Sequence, residues 1–286
     1  VRSHKKSLQT RWKPGVKKAY SNPGYILAGH MLEVLSKRPY NKYFRDEILG
    51  PLGMESSGFY FKKPVHVPVA QGYRYQGGTH IPVAFTTIQG GPAGEFCSNA
   101  VDMATYLQFM LSRSGEKIDS ATFNEESFNR IEQAKTTIAA EKGLPFGYGL
   151  GNYSIWKNGY LFHGHSGGID GFSSRYVYSR EADIGIAVSI NREGNSNAVV
   201  DEILNHLVGT QQFAPKDRTT LPIPDSIKNH YAGFYEFKSP RNKLLSFTDE
   251  MLAGLILDFK DDHIITRSIL YLKRIICWIT SGAWHY

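Results

Sequence analysis

A chain of 286 residues, 41% hydrophobic and 21% charged, has the composition of a folded globular protein with room for one large domain and a small appendage, and it excludes disorder, collagen-like repeats and coiled coils. The net charge of +7 gathers at the start, in Arg2, His4, Lys5, Lys6, Arg11, Lys13, Lys17 and Lys18, without the basic face interleaved with aromatics that nucleic acid needs; a solvated basic segment is expected, and no nucleic-acid partner. Cys97 and Cys277 form no CxxC pair, and the most apolar stretch, Ile264 to Ile279, is broken by Arg267, Lys273 and Arg274, so zinc ribbons, disulfide scaffolds and a membrane span are not expected.

After the basic start, Asn22-Pro23 reads as an N-cap followed by proline at the first helical position, with Leu27, Met31, Val34 and Leu35 as the apolar face of a helix over 23–37. A second helix is predicted from Tyr40 to Leu49, stopped by Gly50-Pro51. Residues 55–97 mix short β-like runs with Gly77-Gly78 and Gly90-Gly91, the pattern of a long surface excursion over the front of a site. Asn99 caps a third helix whose apolar face is Met103, Leu107, Met110 and Leu111. Four β-like segments follow, Gly147 to Trp156, Tyr160 to His165, Phe172 to Tyr178 and Ile184 to Ile190, spaced as an antiparallel meander. Asn195 to Val208 then reads as an amphipathic helix covering the sheet through Val199, Ile203 and Leu207. The expected organisation is a main domain over 1–212, a Pro-containing linker over 213–225 and a small or incomplete β domain over 226–286, opening at Tyr231 to Phe237.

Three motifs follow one another: Tyr20-Ser21-Asn22 at a helix start, Pro51-Leu52-Gly53-Met54, and His163-Gly-His-Ser-Gly-Gly-Ile-Asp-Gly-Phe172. In this order and at these distances they resemble the class C β-lactamase, DD-peptidase and family VIII esterase group, over roughly residues 20–209. The resemblance implies an α+β, penicillin-binding-protein-like fold: an antiparallel sheet flanked by helices, here without the N-terminal helices and strand, followed by a small C-terminal β segment. It implies acyl-enzyme hydrolysis of a peptide, ester or β-lactam. It also favours a periplasmic or secreted location; the sequence carries no signal for an oligomeric state.

By the same resemblance Tyr20 is the general base or proton shuttle, and Asn22 donates to the substrate's amide side chain. A tyrosine phenol of ordinary pKa is only about 0.1% ionised at pH 7, so such a base needs a nearby cation. His165-Ser166-Gly167 stands where the family has Lys/His-Thr/Ser-Gly on an edge strand, so His165 is expected near the substrate's carboxylate or ester, with Ser166 beside it. A histidine holds an anion less firmly than a lysine, which favours a peptidase-like or esterase-like member. Gly167 and Gly168 let a substrate lie along the strand edge as an added strand, and the Gly168 N–H would supply half of an oxyanion hole.

No cofactor is implied and no metal is expected. His163 and His165 lie on one strand face, and no third ligand accompanies them. Gly90 to Gly94 lacks the Gly-Lys-Ser/Thr ending of a phosphate loop and reads as a turn. The family's serine nucleophile and lysine lie one helical turn apart, many tens of residues before the Tyr-x-Asn motif. Three Ser-x-x-Lys strings occur, Ser3 to Lys6, Ser114 to Lys117 and Ser154 to Lys157, and none suits that position. Two accounts stand: a fragment of a serine hydrolase, inactive alone, or a non-catalytic relative that binds a peptide or muropeptide.

Overall fold

In the computed structural model the described residues are 13, 20–60, 68–85, 91–135, 140, 143, 147–209, 222–236, 253–260 and 263–270. The chain divides into two compact units, one of residues 21–216 and one of residues 1–20 with 217–286. The larger unit is built on a four-stranded antiparallel sheet of β5 (Tyr153–Lys157), β6 (Tyr160–Ile169), β7 (Phe172–Ser179) and β8 (Ile184–Ile190), in the order of the sequence.

Alternation along the strands gives the sheet two apolar faces. On one, Phe162, Val177 and Ile186 pack against Val200, Leu204 and Val208 of helix α6 (Ser196–Val208). The predicted helix is there, capped by Asn195 accepting from the Ala198 N–H at 3.0 Å. Its buried stripe lies mainly one residue later than expected: Val199 and Ile203 are exposed and Val200, Leu204 and Val208 are packed away, while Leu207, as expected, packs partly against the same core. Both sets repeat at helical spacing, and only the docking of the helix on the sheet separates them.

On the other face, Tyr178 packs with Leu107, Phe109 and Met110 of α4 (Ala100–Ser112) and Phe128 of α5 (Glu125–Glu132). Asn99 caps α4 as expected, accepting from the Asp102 N–H at 2.9 Å. Arg113 ends α4 in the left-handed region and turns its guanidinium onto α5, where it pairs with Glu125 and Glu132. The Arg113 guanidinium and Glu132 are buried, and the Tyr178 hydroxyl donates to Glu132 at 3.2 Å, while Arg113 Nε is left without a hydrogen-bond partner.

The first helix, α1 (Asn22–Ser36), starts one residue earlier than predicted: Ser21 is its cap, accepting from the Gly24 N–H at 3.1 Å, and Asn22 is already helical. Its expected apolar face does not face a core. Leu27, Met31, Val34 and Leu35 are exposed, and the helix docks instead through Gly29, whose added Cβ would stand 2.1 Å from Pro92 Cγ. The next helix does not stop at Gly50-Pro51. It runs as α2 (Tyr40–Phe44), a π-helical turn (Arg45–Leu49) and α3 (Gly50–Leu52), and ends at Gly53 with φ of 75°.

The 55–97 excursion contains β1 (Gly58–Phe59) paired with β4 (Phe96–Cys97) and a hairpin of β2 (Gly72–Gln76) and β3 (Thr79–Val83). The hairpin turns through Gly77 and Gly78, both at positive φ, as a two-residue loop of this hand requires. In the smaller unit, helix α7 (Asp225–Tyr231) precedes an antiparallel sheet of β9 (Gly233–Glu236), β10 (Ala253–Lys260) and β11 (His263–Leu270), with β10 central. The expected strand from Tyr231 therefore begins only at Gly233, because Pro224-Asp225 starts a helical turn first. Most of the 213–225 linker and the segment after Leu270 lie outside the described residues. Among the described residues no helix is long and apolar enough to cross a membrane.

Candidate active site

The candidate site residues His165, Ser166, Gly167 and Gly168 lie where β6 outruns its neighbour. β5 pairs with β6 only from Tyr160 to Gly164, whereas β7 pairs with it as far as Ile169. His165 to Ile169 are thus ladder-bonded on the β7 side and extend past the end of β5 on the other. Such a stretch presents main-chain N–H and C=O groups to a partner that lies alongside.

The glycines of β6 divide by what surrounds them. Gly164 is required by the fold: an added Cβ would stand 2.0 Å from the Tyr176 carbonyl oxygen. At Gly167 the nearest atom is the Ser174 hydroxyl at 3.1 Å, and at Gly168 only the Phe172 carbonyl oxygen at 3.9 Å. Neither residue has a positive φ. Nothing within the chain needs Gly168 to be glycine, although glycine in a strand costs roughly 0.5–1 kcal/mol. Both are exposed, and their bareness leaves the edge open to close approach.

His165 is half-buried between two aromatic rings, Tyr148 at 6.1 Å and Tyr153 at 5.7 Å between centroids. Its Nδ1–H donates to the Ser166 carbonyl at 2.6 Å. Burial lowers its pKa, with that hydrogen bond acting the other way, so the imidazole is neutral at pH 7 and Nε2 is its acceptor nitrogen. Ser166 is half-buried and sits opposite Arg175 of β7. His163, two residues back on the same face, is deeper. It stacks on Tyr178 at 5.9 Å and lies 3.4 Å from the Ser154 hydroxyl, and burial, aided by the charge of Arg113, pushes its pKa down to about 4. It is a core histidine. Among the described residues no group of three or more His, Cys, Asp and Glu is arranged to hold a metal.

Asn22 opens α1 and is half-buried, and the first turn of that helix approaches the segment leading into β5: an added Cβ on Gly151 would meet the Tyr25 hydroxyl at 3.5 Å. Tyr20 is exposed and is counted with the smaller unit, so the structure gathers Asn22 with His165, Ser166, Gly167 and Gly168 in one unit and Tyr20 in the other. Of the Ser-x-x-Lys strings, Ser3 to Lys6 lies outside the described residues. Ser114 to Lys117 falls in the turn after α4. Ser154 is buried on β5 against His163, while Lys157 reaches Asn205 of α6 at 3.1 Å. Neither described string places serine and lysine together at a helix start. Sequence reasoning missed Tyr148 and Tyr153, which flank His165, and the tie between Arg74 and Asp170; no local pattern marks residues that meet only through the sheet.

The sheet between helix layers, with β6 overhanging the end of β5, defines a β-lactamase/transpeptidase-like protein. The Beta-lactamase family model matches residues 5–210, and the chain belongs to that family, one of serine hydrolases. It is 30% identical over 181 residues to Beta-lactamase-like protein 2 of Dictyostelium discoideum, covering 59% of this chain and 30% of that protein. It is 25% identical over 207 residues to the unguisins hydrolase ungD' of Aspergillus campestris, covering 70% and 38%. Among solved structures it matches the octameric penicillin-binding protein homologue from Pyrococcus abyssi at TM-score 0.58 and 25% identity, over 90% of this chain and 56% of that one. It also matches a D-stereospecific amidohydrolase from Streptomyces sp. at TM-score 0.56 and 25% identity, over 71% and 58%. The chain thus spans well under half of these two curated relatives and somewhat over half of these two solved chains.

Proposed function

We propose that the protein serves acyl-enzyme hydrolysis of a peptide, ester or β-lactam, and that this chain contributes the substrate-aligning half of the site. The observation that carries the reading is the overhang of β6, His165 to Ile169, with a glycine at 168 that the fold does not demand. A substrate lying along it gains main-chain hydrogen bonds, and the Gly168 N–H is the donor assigned to the developing oxyanion. Asn22 is assigned to the substrate's amide side chain and Ser166 to its backbone. A neutral His165 with Nε2 as acceptor suits an amide N–H better than a carboxylate or an ester, which offer only acceptors, and this supports a peptidase-like substrate. The name of the amidohydrolase from Streptomyces agrees with an amide substrate.

The reaction needs a serine nucleophile, and neither described Ser-x-x-Lys string can supply it. The expected behaviour of this chain is binding without turnover. Titrated with N-acetyl-D-alanyl-D-alanine, it should show amide chemical-shift changes centred on His165 to Ile169, and it should hydrolyse neither a chromogenic cephalosporin nor a p-nitrophenyl ester. Shift changes confined to other surfaces would refute the site. Turnover abolished by Ser3→Ala or Lys6→Ala would show that the nucleophile is present after all. The second reading, a non-catalytic peptide or muropeptide binder, rests on that same lack of a placed nucleophile. It requires that the protein never form a covalent adduct detectable by mass spectrometry.

A further inference from the structure

The overhang of β6 is held on one side only and ends at once in the turn Ile169-Asp170-Gly171-Phe172, so its position depends on what fixes that turn. The β2–β3 hairpin fixes it. Arg74 of β2 donates through Nε to Asp170 Oδ1 at 2.7 Å and through Nη2 to Asp170 Oδ2 at 2.6 Å, a two-pronged, charge-assisted contact. Glu193 lies at the margin of the pair, 3.9 Å from Arg74 Nε. The contact holds Asp170 in its ionised form, with a pKa below the usual carboxylate range. Beneath it the backbones close in. An added Cβ on Gly171, at φ of 79°, would stand 2.4 Å from Val83 Cγ2, and one on Gly72 would stand 2.6 Å from the Phe172 ring. The base of the hairpin is itself anchored beyond β8: the Tyr73 N–H donates to the Asn191 carbonyl at 3.0 Å, the Glu193 N–H to the Tyr73 carbonyl at 3.1 Å, and the Asn191 side-chain amide to the Gln71 carbonyl at 2.8 Å.

We propose that Arg74 is a positioning residue: through Asp170 it sets the place of Gly167 and Gly168 and so the geometry of the substrate edge. Lysine could supply the charge but not the fork that holds both carboxylate oxygens. The proposal takes its functional meaning from the substrate-edge reading above, but its structural claim can be tested without a substrate.

The test uses the full chain as Arg74→Gln, Asp170→Asn, the double variant and Arg74→Lys, with amide exchange followed residue by residue. Either single change should lower the protection of the β7-bonded amides between His165 and Ile169 about fivefold, what a well-oriented, part-exposed ion pair is worth. Val177 and Ile186 should exchange as before. The double variant should lose no more than either single one, because both act through the same contact, and Arg74→Lys should fall between. Unchanged protection at 165–169, an equal loss at Val177 and Ile186, or additive losses in the double variant would each overturn the proposal. Titrating the same variants with N-acetyl-D-alanyl-D-alanine separates the two claims. If even the unmodified chain fails to bind, the substrate-edge reading fails while the exchange result still decides the role of Arg74.

Discussion

Alanine at Gly164 and alanine at Gly168, four residues apart on one strand, should have opposite effects on folding. At Gly164 the new methyl would lie 2.0 Å from the Tyr176 carbonyl oxygen and 2.9 Å from both the Tyr176 carbonyl carbon and Val177 Cα. These are backbone atoms of the neighbouring strand, so no side chain can swing aside. Ordinary contact needs roughly 3.4 Å or more, which means parting β6 from β7 by more than an ångström and losing ladder hydrogen bonds. Overpacking of this kind costs typically 1–3 kcal/mol, and the lost backbone bonds add about 1 kcal/mol each; about 3 kcal/mol is expected. At Gly168 the nearest atom is 3.9 Å away and φ is not positive. Alanine there meets no strain and stiffens the unfolded chain, so stability should hold or rise by about 0.4–1 kcal/mol. Urea unfolding followed by circular dichroism gives both values. A Gly168→Ala chain destabilised by more than about 1 kcal/mol, or a Gly164→Ala chain as stable as the parent, would refute the argument that the two glycines are there for different reasons.

Glu132→Ala should cost about 3–5 kcal/mol, because it leaves the buried Arg113 guanidinium without its buried partner; thermal unfolding checks it, and a loss below about 1 kcal/mol would show that exposed Glu125 suffices. Leu204→Ala, at a position with no solvent exposure in the α6 core, should cost about 2–5 kcal/mol, while Ile203→Ala should cost far less, which locates the buried stripe. His163 carries a folded pKa of about 4, below its unfolded value near 6.5, so the unfolded chain binds the extra proton between these values. Its contribution to stability is complete above pH 6.5 and is lost as pH falls towards 4, about 3 kcal/mol in all. The stability difference between the parent and His163→Gln should show that slope, and a flat difference would mean that His163 protonates in the folded state without cost.

The order of elements was legible because it rests on local rules. Asn99 caps the helix it was expected to cap, a helix follows Asn195, and four strands form in the predicted order, although the first begins only at Tyr153. The family was legible too, since its motifs are short stretches of backbone-demanding or chemically distinct residues in a fixed order. Misreadings came where two local solutions were nearly equal. Ser21 and Asn22 can each cap α1, and Val199 and Val200 each continue a helical stripe; for the stripe, the sheet under Val200 made the choice.

What the sequence by itself determined was which segments become strands and helices, and which family their motifs belong to. Only the tertiary structure decided that β5 stops at Gly164 and leaves His165 to Ile169 overhanging, that His163 is core while His165 is half-buried and neutral, and that Arg74 grips Asp170 from 96 residues away. Sequence patterns report a residue's own backbone preferences over a few neighbours. Register, burial and the partner of a charge are properties of chains brought side by side, and they are settled by which strand ends first and what packs against it.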